Sequence, residues 1–199
     1  MRLYMSATSP FARKCRIVAH ERGLLGRLEQ IVVDPYGDDP RLLAANPIAQ
    51  IPALELDDGS FFFNSPVICA YLDGLDGTPR LTPSQGTPAY WRARRIEALA
   101  DGALEMTVKL TLEARRPQAE RSDFWIERWT RGLVRTLDAA ENETPAPTPL
   151  DLGSVALGCV GAYVDLRQPK LNWREGRPRL AAFSAEVERR ESFRATAPA

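Results

Sequence analysis

The chain predicts an α/β domain followed by an all-α domain, and three observations carry that reading. Strand-like and helix-like patterns alternate up to about Gly77. The stretch Gly77-Thr78-Pro79-Arg80-Leu81-Thr82-Pro83-Ser84-Gln85-Gly86 is rich in Pro, Gly, Ser and Thr, as a linker is. Beyond it only helical periodicity survives. The domains are therefore read as 1–77 and 88–199, joined by a linker at 78–87. A chain of 199 residues with 44% hydrophobic side chains can bury a substantial core.

Arg2-Leu3-Tyr4-Met5 alternates polar and apolar, which predicts a strand near 2–6. Phe11, Cys15 and Val18 then recur at helical spacing ahead of Gly23, predicting a helix near 10–23. A strand near 28–33 and a short helix near 40–45 follow. Two strands, near 52–56 and 60–63, flank the Asp57-Asp58-Gly59 turn, and a helix runs near 65–75. Pro52 falls on the first residue of its strand, where a missing donor costs little. Phe61-Phe62-Phe63 reads as strand and inter-domain packing. Helices are predicted near 88–115, 122–142, 148–167 and 177–190, separated by Pro117, by Pro145 and Pro147, and by Pro169. Thr148-Pro149-Leu150-Asp151 reads as an N-cap, a first-turn proline and an acidic capping-box partner.

Charge excludes several function classes. Twenty-six basic residues balance 26 acidic ones, so no electrostatic footprint for nucleic acid exists. Arg92, Arg94 and Arg95 share their helix with Glu97, Asp101 and Glu105, which reads as a solvated face. No run approaches the ~20 apolar residues of a membrane span, and no leader precedes the first strand; the expectation is a cytoplasmic protein. Cys15, Cys69 and Cys159 form no CxxC pair and read as reduced core residues. One histidine, His20, leaves no material for a His-based metal site.

The chemistry-bearing feature is Ser9-Pro10-Phe11-Ala12, at a strand-to-helix handover. A serine followed by proline matches an N-cap with a first-turn proline. It aims a hydroxyl and the positive end of a helix at any anion above the turn, and a thiolate is one such anion. Alone, Ser9 reads first as a plain cap. Two later segments bear on the choice: Asn46-Pro47-Ile48-Ala49-Gln50-Ile51-Pro52-Ala53-Leu54 and Phe63-Asn64-Ser65-Pro66-Val67-Ile68-Cys69-Ala70-Tyr71-Leu72.

In this order and spacing, the three segments resemble the glutathione transferase family, in particular its bacterial, serine-type members with a Ser-Pro-Phe opening. The likeness extends to the tail Glu191-Ser192-Phe193-Arg194-Ala195-Thr196-Ala197-Pro198. It implies a thioredoxin-like N-terminal domain followed by a helical bundle, and attack of a glutathione thiolate on a small hydrophobic electrophile. Ser9 would be the catalytic residue, donating a hydrogen bond to the sulfur. A cis Ile51-Pro52 bond would present the Ile51 backbone to the peptide, strand to strand. Ser65, as N-cap of the next helix, and Asn64 would hold the γ-glutamyl end, with Phe11 and Gln50 as further contacts. Asn64 stands where many members carry an acid, and Gln50 where relatives often carry lysine; both departures remove charge.

The resemblance also implies a homodimer, with Trp91, Ala98, Gly102 and Met106 on the long helix and Asp101 reaching the neighbour's glutathione amine. Met106, Lys109 and Leu110 would line the second substrate's pocket between the domains. Glutathione enters as co-substrate, and neither a metal nor a redox cofactor is implied. A second reading stays open: a binding or regulatory protein of the same fold with a weakened glutathione site, favoured by Asn64 and Gln50. A thiol–disulfide reductase would need a cysteine at the Ser9 helix start, and none stands there.

Overall fold

Four short strands form one mixed sheet in the order β2-β1-β3-β4. In chain order they and their helices are β1 (Arg2–Met5), α1 (Pro10–Glu21), β2 (Glu29–Val32), α2 (Pro40–Ala45), β3 (Ala53–Glu55), β4 (Phe61–Phe63) and α3 (Ser65–Gly74). The structure is a computed structural model that describes residues 1–75 and 80–198. The predicted boundary at 77/78 lies outside them. Two units emerge: Met1–Pro83 together with the segment from Glu191 onward, and Ser84–Arg190.

In the first unit β1 pairs parallel with β2 (Arg2↔Glu29 to Met5↔Val32) and antiparallel with β3 (Tyr4↔Ala53). β3 pairs antiparallel with β4 (Ala53↔Phe63). Leu3, Tyr4 and Met5 are all buried, because β1 is an inner strand covered on both faces. On one face, Tyr4, Val33, Leu42, Ala45 and Ala53 form a cluster beneath α2. On the other, α1 packs against α3, with the Cys15 and Cys69 sulfurs 3.8 Å apart. Phe62 lies against Tyr71, whereas Phe61 and Phe63, pointing the other way from the edge strand, stay exposed. A 3₁₀ turn at Leu25–Arg27 was not signalled by periodicity.

Beyond α3 the chain is tied back by a buried carboxylate. Asp73 accepts the amides of Leu81 at 2.8 Å and Thr82 at 2.9 Å, and faces the Arg22 guanidinium at 3.4 Å.

The second unit holds α4 (Pro88–Arg115), α5 (Asp123–Glu143), α6 (Leu152–Arg167) and α7 (Pro178–Val187). A 3₁₀ turn, Gln118–Glu120, links the first two. α4 packs along α5 and α6. Its approach to α6 requires Gly153: a Cβ there would stand 2.5 Å from the Ala93 carbonyl oxygen. α6 is buried on nearly every side and so shows no amphipathic period.

Three expectations for this region need correction. Thr148 is not a cap: Asp151 is, accepting the Ser154 amide at 2.7 Å and its hydroxyl at 2.8 Å. The helix begins three residues later than a Thr148 cap would place it, and there Asp151 answers a free first-turn amide and the helix dipole. The basic face of α4 is only partly solvated, since Glu97 is buried and paired with Arg94. The helix predicted near 177–190 stops at Val187. Its first-turn amides, from Arg179 and Leu180, go to Glu141 of α5 at 3.1 and 2.7 Å.

The last helix, α8 (Glu191–Arg194), belongs to the first unit. The sequence reading gave these residues to the helical domain. In the structure Arg13 donates to the Phe193 carbonyl, Arg16 to that of Ala195, and Ser192 to Glu21 at 2.5 Å. All three partners lie on α1, and Arg13 is buried beneath this tail.

Candidate glutathione site

The sheet register gathers the three sequence segments at one end. β1 and β4 run towards that end and β3 runs away from it. The segment after Met5, the residues before Ala53 and those after Phe63 therefore leave the sheet side by side.

Ser9 caps α1 as predicted. Its backbone is extended (φ −74°, ψ 120°), and Pro10 takes the first helical position. Its Oγ accepts the Ala12 amide at 3.2 Å. A hydroxyl has one proton and two lone pairs, so the amide consumes a lone pair and leaves the proton for an outside acceptor. Phe11, half-buried, occupies the same first turn.

Ile51-Pro52 is cis, as the resemblance implied. The loop before it is organised by Asn46, a residue to which the sequence reading gave no role. Its buried side chain accepts the Ile48 amide at 3.1 Å and donates to the Gln50 carbonyl at 2.7 Å, while its carbonyl accepts the Ala49 amide. The signal was available, because Asn before Pro favours such a side-chain-closed turn. Gln50 itself is exposed.

At α3 the expected cap is displaced by one residue. Asn64, not Ser65, is the N-cap; its φ is +71°, and its carbonyl accepts the amides of Val67 and Ile68. β4 runs straight up to Phe63, so the chain must swing into the helix at one residue. Asparagine tolerates the left-handed backbone that this requires. Ser65 becomes the first helical residue, buried, with its carbonyl 3.9 Å from the Cys15 sulfur. Its amide, being in the first turn, has no intrahelical acceptor. The Asn64 side chain makes no capping bond and is exposed.

The remaining candidates lie on α4 in the other unit. Met106 is half-buried, and its sulfur packs where a side chain on Gly132 would otherwise stand. Leu110 is buried, while Lys109 points outward, 3.6 Å from Glu105. Asp101 is half-buried and already partnered. Among the described residues, no cluster of His, Cys, Asp and Glu could hold a metal. No described helix is long and apolar enough to cross a membrane.

Residues 8–75 match the family model for the glutathione S-transferase N-terminal domain, and residues 123–186 that for the C-terminal domain. The uncharacterized GST-like protein YibF of Escherichia coli (strain K12) is 32% identical over 202 residues, spanning 100% of this chain and 98% of that protein. A glutathione transferase family member from Pseudomonas fluorescens Pf-5, solved with bound glutathione, superimposes with a TM-score of 0.93 at 33% identity. That match covers 100% of this chain and 98% of the other. A glutathione S-transferase from Methylobacillus flagellatus KT with GSH bound gives 0.88 at 35% identity, covering 100% and 99%.

Proposed function

Since the chain belongs to the glutathione S-transferase family, we propose that it binds glutathione at this sheet end and conjugates its thiolate to a small hydrophobic electrophile. The observation that carries the reading is Ser9: its oxygen is held by the Ala12 amide while its proton stays available. That proton is donated to the glutathione sulfur, and the positive end of α1 adds to the same field. A hydrogen bond to an ionised acceptor is worth about 1.5–3 kcal/mol. Each 1.36 kcal/mol is about one pKa unit, so a thiol near ~8.5 becomes mostly ionised at neutral pH. The thiolate then forms the new carbon–sulfur bond as the electrophile's leaving group departs with its electron pair.

Ile51 supplies backbone pairing for the peptide, and the Ser65 amide receives the γ-glutamyl carboxylate. Phe11 and Gln50 are outer contacts, and Met106, Lys109 and Leu110 are assigned to the electrophile. The same reading includes a two-fold homodimer through α4, where Trp91 is 63% exposed. This chemistry calls for neither a metal nor a redox group.

The competing reading is a non-catalytic binding or regulatory protein of the same fold with a weakened glutathione site, and the uncharged Asn64 and Gln50 are what favour it. Calorimetric titration with glutathione, followed by an assay with a reactive aryl halide, separates the two. Binding with turnover supports the transferase; binding without turnover toward a panel of electrophiles, or no binding at all, supports the regulator.

A further inference from the structure

We infer, resting on the glutathione reading, that Asn46 is a positioning residue: by holding the Gln50 carbonyl it aims the Ile51 N–H at the cysteinyl carbonyl of the peptide. Asn46 is buried, and its four polar groups are all engaged. Its amide donates to the Leu42 carbonyl at 2.8 Å, closing α2, and its own carbonyl accepts the Ala49 amide at 2.9 Å. Its side chain accepts from the Ile48 amide and donates to the Gln50 carbonyl at 2.7 Å.

The last of these bonds reaches Ile51 through one rigid unit. The Gln50 carbonyl and the Ile51 N–H belong to the same peptide plane, which is trans. In a trans peptide the two groups point in opposite directions. With the carbonyl turned in towards the buried Asn46, the N–H is turned out, and among the described residues it meets no acceptor. The plane has little freedom to rotate. On one side Ala49 is held by its bond to Asn46 at φ +57°, a left-handed backbone that alanine rarely adopts. On the other, the Ile51 side chain packs against the cluster of Tyr4, Leu42 and Ala45. A hydrogen-bonded strand pair exchanges the N–H and C=O of one residue on each side. In glutathione the cysteinyl residue carries both groups, so its carbonyl is what the Ile51 N–H reads. Asn46, being buried, acts only through the plane it holds.

The test is a calorimetric cycle on the full chain. One ligand is glutathione; the other is its (E)-alkene isostere, in which a carbon–carbon double bond replaces the cysteinyl–glycine amide, removing the carbonyl and keeping both carboxylates. The native protein binds glutathione about three- to tenfold tighter than the isostere, the worth of one such hydrogen bond. Asn46→Ala removes both side-chain bonds. Asn46→Asp keeps an acceptor for the Ile48 amide but sets an oxygen, not a donor, against the Gln50 carbonyl. In both variants the preference closes to within about twofold, because glutathione weakens and the isostere does not. A preference that both variants leave unmoved, whether or not the two affinities fall together, overturns the inference and leaves Asn46 as a brace for the loop. A native protein that binds the two ligands alike overturns it too. Amide hydrogen exchange on the native chain tests the same contact without any variant: glutathione protects the Ile51 N–H and the isostere does not. Glutathione that binds without protecting this amide overturns the inference and leaves the glutathione reading intact. If glutathione does not bind the native chain, that reading itself falls and takes this inference with it.

Discussion

The Arg13 guanidinium donates to the Phe193 carbonyl oxygen at 3.0 Å and lies over its ring at 5.5 Å, joining residues 180 apart in sequence. Phe193 is fully buried. The helix whose first residue follows Ser9 is therefore held in place by the far end of the chain.

Replacing Phe193 with alanine removes this plug from α1. A buried Phe→Ala change costs about 3–5 kcal/mol. The expected outcome is a lower urea midpoint together with weaker glutathione binding, since α1 carries Ser9. Unchanged stability would assign the tail to a passive surface.

Asp73 makes a second demand on the same unit. It is nearly inaccessible, faces Arg22, and serves two amides of the following segment. Removing one partner of a buried ion pair costs about 3–5 kcal/mol, because the other charge is left in low dielectric. Asp73→Ala should therefore destabilise strongly. Asp73→Asn, which keeps one acceptor oxygen, should cost less. Equal losses in the two variants would show that the charge, and not the amide capping, carries the effect.

What the sequence made legible was local. The Ser9 cap, the helices near 40–45 and 88–115, and the strand order around Asp57-Asp58-Gly59 rest on neighbouring residues, and the structure reproduces them. What it hid was set across the chain. The C-terminal tail read as part of the helical domain, yet it packs on α1, where Arg13 is buried against Phe193. Ser65 read as a cap, yet Asn64 takes that position, because the register of β4 on β3 fixes where the chain must turn. Trp173, a core residue, lies outside any periodic segment and is placed by its bond to Asp165. The local structure of the three motifs was readable because they flank strand ends; the packing of the α4 candidates was not, because Met, Lys and Leu on a long helix serve core and surface alike.

Acid should act on the second unit through Asp165. Partial burial pushes its carboxyl up, but the Arg174 guanidinium and the Trp173 indole N–H together outweigh that and hold it below the ordinary value. A depressed folded pKa means that the contribution is fully present above the unfolded value, about 4. It is lost as pH falls from there through the folded value. Tryptophan fluorescence during urea unfolding should show stability declining below about pH 4. Asp165→Asn should be less stable at neutral pH and flatten that part of the profile. An unaltered slope would shift the acid sensitivity to other carboxylates such as Glu55, which Tyr4 and Arg2 also hold down.

Ser9→Ala separates the cap from the catalyst. As a cap, Ser9 satisfies one amide, and its loss costs ~1 kcal/mol of stability. As thiolate stabiliser it contributes about 1.5–3 kcal/mol to the ionised sulfur, or roughly tenfold or more in rate at neutral pH. The expected result is a modest drop in thermal midpoint, glutathione affinity largely kept, and conjugation of an aryl halide reduced at least about tenfold. The pH–rate profile should shift with it, because the thiol of bound glutathione would ionise at higher pH once its donor is gone. A fall in stability with an unmoved rate and profile would leave Ser9 as a cap alone, and the α1 dipole would then be what lowers the thiol's pKa.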